Sequence, residues 1–186
     1  MKERLLKLLL THAYQAREVV LASGQASHFY IDCKQVSFRG EGAFLIGRLF
    51  WEQMLLIEKE RSIGFDACGG MALGAVPLVV ALSTEAFRHQ RDLPALAVRK
   101  EAKNHGTGAF VEGANGVPNG ARVVLLEDVV TTGASTIKAA VHLREAGFIT
   151  DTVLALVNRE AGGEANLKKE GLTLTSLFNL NHFPKN

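Results

Sequence analysis

Arg122 to Thr136, which reads RVVLLEDVVTTGAST, restricts the fold more than any other stretch of this 186-residue chain. Val123, Val124, Leu125 and Leu126 form an apolar run, opened by two β-branched residues, of the kind buried on both faces of a parallel sheet. The run meets two carboxylates, Glu127 and Asp128, and acids at the exit of such a strand point into a cleft. Thr131, Thr132, Gly133, Ala134 and Ser135 then make a small, hydroxyl-rich turn. Ile137, Ala140, Val141 and Leu143 follow at helical spacing as far as Gly147. Strand, acidic pair, small loop and helix are the parts of an α/β unit.

The chemistry of the unit follows from its polar groups. A Thr-Gly-Ser loop that opens a helix presents free backbone N–H groups and hydroxyls to an anion, and the helix dipole adds to the attraction. Carboxylates repel phosphate, so Glu127 and Asp128 face something else. A ribose 5′-phosphate meets both demands, with its phosphate in the loop and its 2′- and 3′-hydroxyls on the acids. The plainer reading is a strand-to-helix turn with Ser and Thr as caps. Against it, two adjacent acids at a strand end have no packing reason, and burying them unpaired is costly.

The same residues carry a resemblance. Glu127, Asp128, Val129, Val130, Thr131, Thr132, Gly133, Ala134 and Ser135 are similar to the phosphoribosyl pyrophosphate (PRPP) motif of the type I phosphoribosyltransferases. A second stretch narrows this. Arg99, Lys100, Glu101, Ala102, Lys103, Asn104, His105 and Gly106 resemble the flexible-loop signature of the orotate phosphoribosyltransferases. Read for itself, that stretch opens a segment from Lys100 to Asn119 without helical or strand periodicity. It contains Gly106, Gly108, Gly113, Gly116 and Pro118, the composition of a long lid-like loop. A charge run of this sort is often a solvated face, but four basic groups beside a phosphate-binding turn suit a pyrophosphate.

Length and charge set the remaining bounds. The chain can bury one substantial core, so a single domain is expected. With 21 basic and 19 acidic residues, no global field of the type used to bind nucleic acid exists. Cys33 and Cys68 make neither a disulfide scaffold nor a zinc pattern and read as buried free thiols. MKERLLKLLL lacks the pattern of a signal peptide, and the apolar stretch from Gly69 to Leu82 is broken by Gly74 and Pro77. A cytoplasmic protein with no membrane association is expected.

The other elements alternate. An amphipathic helix is expected over Lys2 to Arg17, short strands at Val19 to Ala22 and Phe29 to Asp32, and a helix over Gly42 to Lys59. A strand at Ile63 to Cys68 runs into a Gly-rich turn, Gly69 to Gly74, and a helix from about Ala75 to Gln90. Strands at Pro94 to Val98, Thr152 to Val157 and Leu172 to Phe178, with a short helix at Gly163 to Glu170, complete the series. This is an open, mostly parallel sheet with helices on both faces and its site at the carboxyl ends of the strands.

The resemblance implies more. It implies a type I core of about five strands, a small hood from roughly residues 1–40 with part of 160–186, and a mobile lid over roughly 100–118. It implies transfer of the phosphoribosyl group of PRPP to orotate with Mg²⁺, the metal held mainly by PRPP, in a homodimer whose lids act on the neighbouring subunit. Carried over by position, Arg99, Lys100, Lys103 and His105 contact pyrophosphate, with Lys100, Lys103, Glu127 and Asp128 as the catalytic group. Glu127 to Ser135 hold ribose and 5′-phosphate; Thr131, Arg159, Tyr30 and Ile31 frame the base. Two departures stand out: many relatives have lysine where Ala22 stands and Tyr-Lys near Leu73 and Gly74. A purine-using sister enzyme would lack the RKEAKNHG lid, a regulatory PRPP-binding protein would share the fold, and a pure interaction module leaves the paired acids unexplained.

Overall fold

The structure, a computed structural model, describes residues 1–17, 19–20, 26–27, 29–101 and 110–184. Five parallel strands form the sheet: β5 (Ala67–Met71), β6 (Ala95–Val98), β8 (Val123–Val130), β9 (Thr152–Asn158) and β10 (Thr173–Asn179). A sixth, β7 (Val111–Glu112), pairs antiparallel with β6 at one edge, giving the order β10-β9-β8-β5-β6-β7. The family-implied mixed architecture is therefore present, with helices α3 (Gly40–Arg61) and α4 (Val76–Arg88) on one face and α5 (Ala134–Glu145) and α6 (Gly163–Lys169) on the other.

Alternation along the central strands explains the two layers. Val124, Leu126, Leu154 and Leu156 belong to the core shared with α1 (Lys2–Leu8), α3 and α4. Their neighbours Val123, Leu125, Val153 and Ala155 belong to the core shared with Ala139, Ala140, Leu143 and Leu167 of α5 and α6. A side-chain period of two on a strand buried on both faces yields two cores with one sheet between them.

Several sequence expectations move. The strand expected at Ile63 to Cys68 is β5, which begins four residues later and contains Gly69 and Gly70, two of the three glycines assigned to the turn. Glycine is required there by close approach: a Cβ on Gly70 would lie 2.4 Å from the Leu126 carbonyl oxygen on β8. The chain before β5 is held partly by side chains, as Glu58 accepts the Phe65 N–H at 2.7 Å and Asp66 accepts the Arg122 N–H at 2.7 Å, while the Asp66 N–H donates to the Arg122 carbonyl at 2.8 Å. The N-terminal helix also ends early: after α1, Leu9–Ala13 widens into a π-type turn, and β1 (Tyr14–Gln15) pairs with β4 (Tyr30–Ile31). β8 does not stop at the acids, because β9 pairs with it through Val130. The segment read as lacking periodicity contains β7.

Short pieces near the amino end complete the chain. β2 (Val19–Val20) pairs with β3 (Ala26–Ser27), and α2 (Lys34–Ser37) follows β4. The two ends of the chain meet in an aromatic stack, with Tyr14 5.7 Å from Phe29 and 6.2 Å from Phe183 between ring centres.

Candidate active site

The residues nominated from sequence converge. A cleft of about 350 Å³ at the carboxyl ends of β8 and β9 is lined by Tyr30, Ile31, Lys34, Glu127, Asp128, Val129, Thr131 to Thr136 and Arg159. Every nominated ribose, phosphate and base residue is in this set except Val130, whose side chain is buried beneath it. Lys34 and Thr136 were not nominated. A larger hollow of about 500 Å³ between β7 and α5 is lined by Phe110, His142 and Phe148 among others and carries neither the paired acids nor the hydroxyl loop.

The acids differ sharply in environment. Glu127 is buried, and Thr136 Oγ1 donates to its Oε2 at 2.7 Å. Burial first, and the charge of Asp128 second, push its pKa up to about 8, since the charged form has lost water and meets a like charge. Asp128 is half-buried and its Oδ1 accepts the N–H of Val129 at 2.8 Å. On its other side it packs against the backbone of residue 74, a close approach that glycine allows: a Cβ there would lie 2.7 Å from Asp128 Oδ2.

The loop after β8 is braced from behind. Gly133 caps α5 with φ 81°, in the left-handed region that favours glycine, and a Cβ on it would lie 3.1 Å from Leu167 Cγ of α6. A Cβ on Gly163 would lie 2.6 Å from the Thr131 carbonyl oxygen, so α6 packs directly on the loop backbone. Asn166 Nδ2 donates to the Thr132 carbonyl at 3.0 Å. These contacts leave the loop's own hydroxyls and N–H groups facing the cleft at the start of α5.

Arg159 stands where β9 ends. Its N–H bonds to the Val130 carbonyl at 2.8 Å, Nη2 donates to the Phe29 carbonyl at 3.2 Å, and the guanidinium lies 4.4 Å from the centre of the Phe29 ring. Burial lowers its pKa from the ordinary guanidinium value. The aromatic stack that joins the chain ends thus also orients this cation.

The basic arm is placed differently. Arg99 Nη1 pairs with Glu112 Oε1 at 3.2 Å across the β6–β7 hairpin, and the Lys100 carbonyl accepts from Lys138 Nζ at 2.8 Å. Neither side chain lines the cleft. Lys103 and His105, like Ala22, lie outside the described residues. Among the described residues no group of three or more His, Cys, Asp or Glu side chains could hold a metal ion, and no helix is long and apolar enough to cross a membrane.

Comparison with known proteins agrees with the geometry. No protein-family model matches the chain. It is 46% identical over 180 residues to the orotate phosphoribosyltransferase of Thermosynechococcus vestitus, an alignment that spans 97% of this chain and 91% of that protein. The crystal structure of orotate phosphoribosyltransferase from Aeropyrum pernix superimposes with a TM-score of 0.74 at 32% identity, over 95% of this chain and 94% of that one. The Mycobacterium tuberculosis H37Rv enzyme in complex with PRPP superimposes with a TM-score of 0.73 at 26% identity, over 97% of each chain.

Proposed function

Because this chain belongs to the orotate phosphoribosyltransferase family, we propose that the cleft at the ends of β8 and β9 is its active site and that the residues lining it divide the substrates among them. The reaction itself is that of the family: the chain transfers the phosphoribosyl group of PRPP to orotate, giving orotidine 5′-monophosphate and pyrophosphate in pyrimidine biosynthesis. The observation that carries the assignment is the convergence of Glu127, Asp128, the Thr131 to Ser135 loop, Tyr30, Ile31 and Arg159 on one cleft.

In this reading the 5′-phosphate sits on the loop, where the N-terminal N–H groups of α5 and the hydroxyls of Thr131, Thr132 and Ser135 receive it. Glu127 and Asp128 accept from the ribose hydroxyls. As the C1–oxygen bond to pyrophosphate breaks and the bond from C1 to the orotate nitrogen forms, positive charge grows on the ribose. The acids stabilise that charge through the hydroxyls, a field already in place before the reaction begins. Arg159 and Thr131, with the backbone of Tyr30 and Ile31, hold the base. A guanidinium suits a carboxylate or carbonyl edge because its paired donors match it.

Arg99, Lys100, Lys103 and His105 complete the site by neutralising the leaving pyrophosphate. Mg²⁺ fits the donors present, since that ion commonly binds through substrate phosphates with one or two carboxylates and several waters. Bound, it would supply further charge neutralisation on the pyrophosphate, with Asp128 the carboxylate open to the cleft.

The hood from residues 1–40 with part of 160–186, the lid over roughly 100–118 and the homodimer belong to the same proposal. The joining of the chain ends through Tyr14, Phe29 and Phe183 supports the hood. An apolar face on α3 and α4, with Phe44 51% and Val80 52% exposed around a groove of about 410 Å³, supports a second copy packed there. Buried free thiols at Cys33 and Cys68 suit the reducing cytoplasm.

The test is the fall in orotate absorbance on mixing enzyme, PRPP and Mg²⁺, with adenine, hypoxanthine and uracil run alongside. Turnover of orotate alone is expected. Measurable PRPP binding without turnover of any base would overturn the assignment of these residues to catalysis.

A further inference from the structure

Lys34 reaches the cleft from a part of the chain that the acidic strand and the phosphate loop do not account for. It opens α2, three residues beyond Ile31, and its Nζ lies 2.6 Å from Asp32 Oδ1. That Asp32 oxygen also accepts the backbone N–H of Lys34 at 3.2 Å, while Oδ2 accepts from Gln35 at 3.2 Å. The carboxylate is therefore fixed from several sides, and it fixes the ammonium in turn. The Lys34 side chain stays 38% exposed, open to a ligand in the cleft. Burial works to lower its pKa, but the bond to Asp32 and the charges of Asp128 and Asp32 hold it above the ordinary lysine value. Lys34 is thus a fully charged cation within the field of Asp128.

We propose that Lys34 binds the pyrophosphate of PRPP, an inference that rests on the reading of the cleft given above. The argument is stereochemical. In PRPP the pyrophosphate on C1 stands on the same face of the ribose as the 2′- and 3′-hydroxyls. A cleft that grips those hydroxyls with Glu127 and Asp128 therefore receives the leaving group on the same side, and the base approaches from the opposite face. Among the described residues, two cations line the cleft with Asp128: Lys34 is held at its Asp32 partner, whereas Arg159 is drawn to Phe29. On its other side Asp128 packs against Gly74, at a turn that carries Leu73 and Gly74 and no cation, and a Cβ there would lie 2.7 Å from its Oδ2. Lys34 supplies the charge that this turn lacks.

The test uses the full-length enzyme and begins with unaltered protein turning over orotate. In Lys34→Met the KM for PRPP and the inhibition constant of added pyrophosphate are each expected to rise about tenfold or more, the loss of one charged hydrogen bond, while the KM for orotate stays within about twofold. Lys34→Arg is expected to recover most of the loss. Asp32→Asn, which leaves the lysine but loosens it, is expected to move the same two constants in the same direction by less. If Lys34→Met does not fold, Lys34→Arg and Asp32→Asn still carry the test through the pyrophosphate inhibition constant. Unchanged PRPP and pyrophosphate constants would overturn the proposal. So would an equal rise in both KM values with a fall in Tm, which marks a merely structural ion pair. An unaltered enzyme that does not turn over orotate would instead remove the reading of the cleft, a different result from an active enzyme indifferent to residue 34.

Discussion

The two regions proposed to handle anions, the loop after β8 and the basic arm, are built in opposite ways. The loop after β8 is clamped: Gly133 and Gly163 have no room for a Cβ, Asn166 holds the Thr132 carbonyl, and Thr136 holds Glu127. The basic arm follows β6, and at its root Arg99 pairs with Glu112 in a half-exposed ion pair. The difference teaches where each job can be done. A phosphate that must stay put through the reaction is met by backbone that strand, helix and core already fix. A leaving group that must depart is met by long side chains at the margin of the fold.

The sharpest way to break this comparison is at the acids. Asp128→Asn keeps the shape and the acceptor for the Val129 N–H but removes the charge that faces the ribose. A kcat loss of ~10²–10³ is expected with Tm nearly unchanged, the size associated with removing one preorganised electrostatic contact. A loss below tenfold in steady-state turnover would mean that the charge on the ribose is not met by this carboxylate.

The arm gives the next effect. Lys103→Ala is expected to lower kcat by at least about tenfold with the fold intact, because a charged donor on the leaving group is lost. An unchanged kcat would sink the role of Lys103. Mixed dimers sharpen the test. If the arm serves the neighbouring subunit, pairing Lys103→Ala with Arg159→Ala restores activity in the one site that keeps both residues.

Bracing of the loop is tested by Gly163→Ala. The added methyl would lie 2.6 Å from the Thr131 carbonyl oxygen and 2.6 Å from Val130 Cγ1, and backbone cannot turn aside as a side-chain tip does. Overpacking of this kind typically costs about 1–3 kcal/mol. Both Tm and affinity for PRPP are expected to fall, whereas Lys103→Ala leaves Tm alone. Thermal melts with and without PRPP check it.

How much of this was legible in the sequence depended on whether the signal was local. The acids, the TTGAS loop and the arm are contiguous words whose chemistry can be read from neighbours, and the cleft lining bears out that the first two come together. Lys34 and Thr136 were missed for a different reason. Lys34 looks like a solvated charge after a short strand, and only the fold brings it to Asp128. Thr136 is one residue beyond the motif, and its bond to Glu127 depends on how α5 leaves the strand. Glycines misled at β5, where Gly69 and Gly70 looked like a turn but lie within the strand, and Gly70 serves close strand approach, a demand set by Leu126 on another strand. β7 is two residues long and carries no periodicity to detect.

The smallest expected effect concerns Glu127 and follows from its burial in the clamped half. Its ordinary pKa is 4.5, and in the fold it is raised to about 8. Between those values the unfolded chain has lost the proton and the folded chain keeps it, so the folded state binds more protons and this group's contribution to stability falls as pH rises. The contribution is whole below the unfolded value and lost as pH passes the folded one. Glu127→Gln can still accept from Thr136 through its amide oxygen and has nothing to titrate. Its Tm relative to the unaltered protein is therefore expected to climb between pH 5 and pH 8.5, by ~2–4 °C for each kcal/mol of ionisation cost in a domain of this size. Melting curves across that range check it, and a constant difference at every pH would show that Glu127 is ionised in the folded protein. In the proposed reading, the group that grips the ribose is thus the one the free fold holds protonated, and hydroxyls donated by substrate would draw it to its charged form.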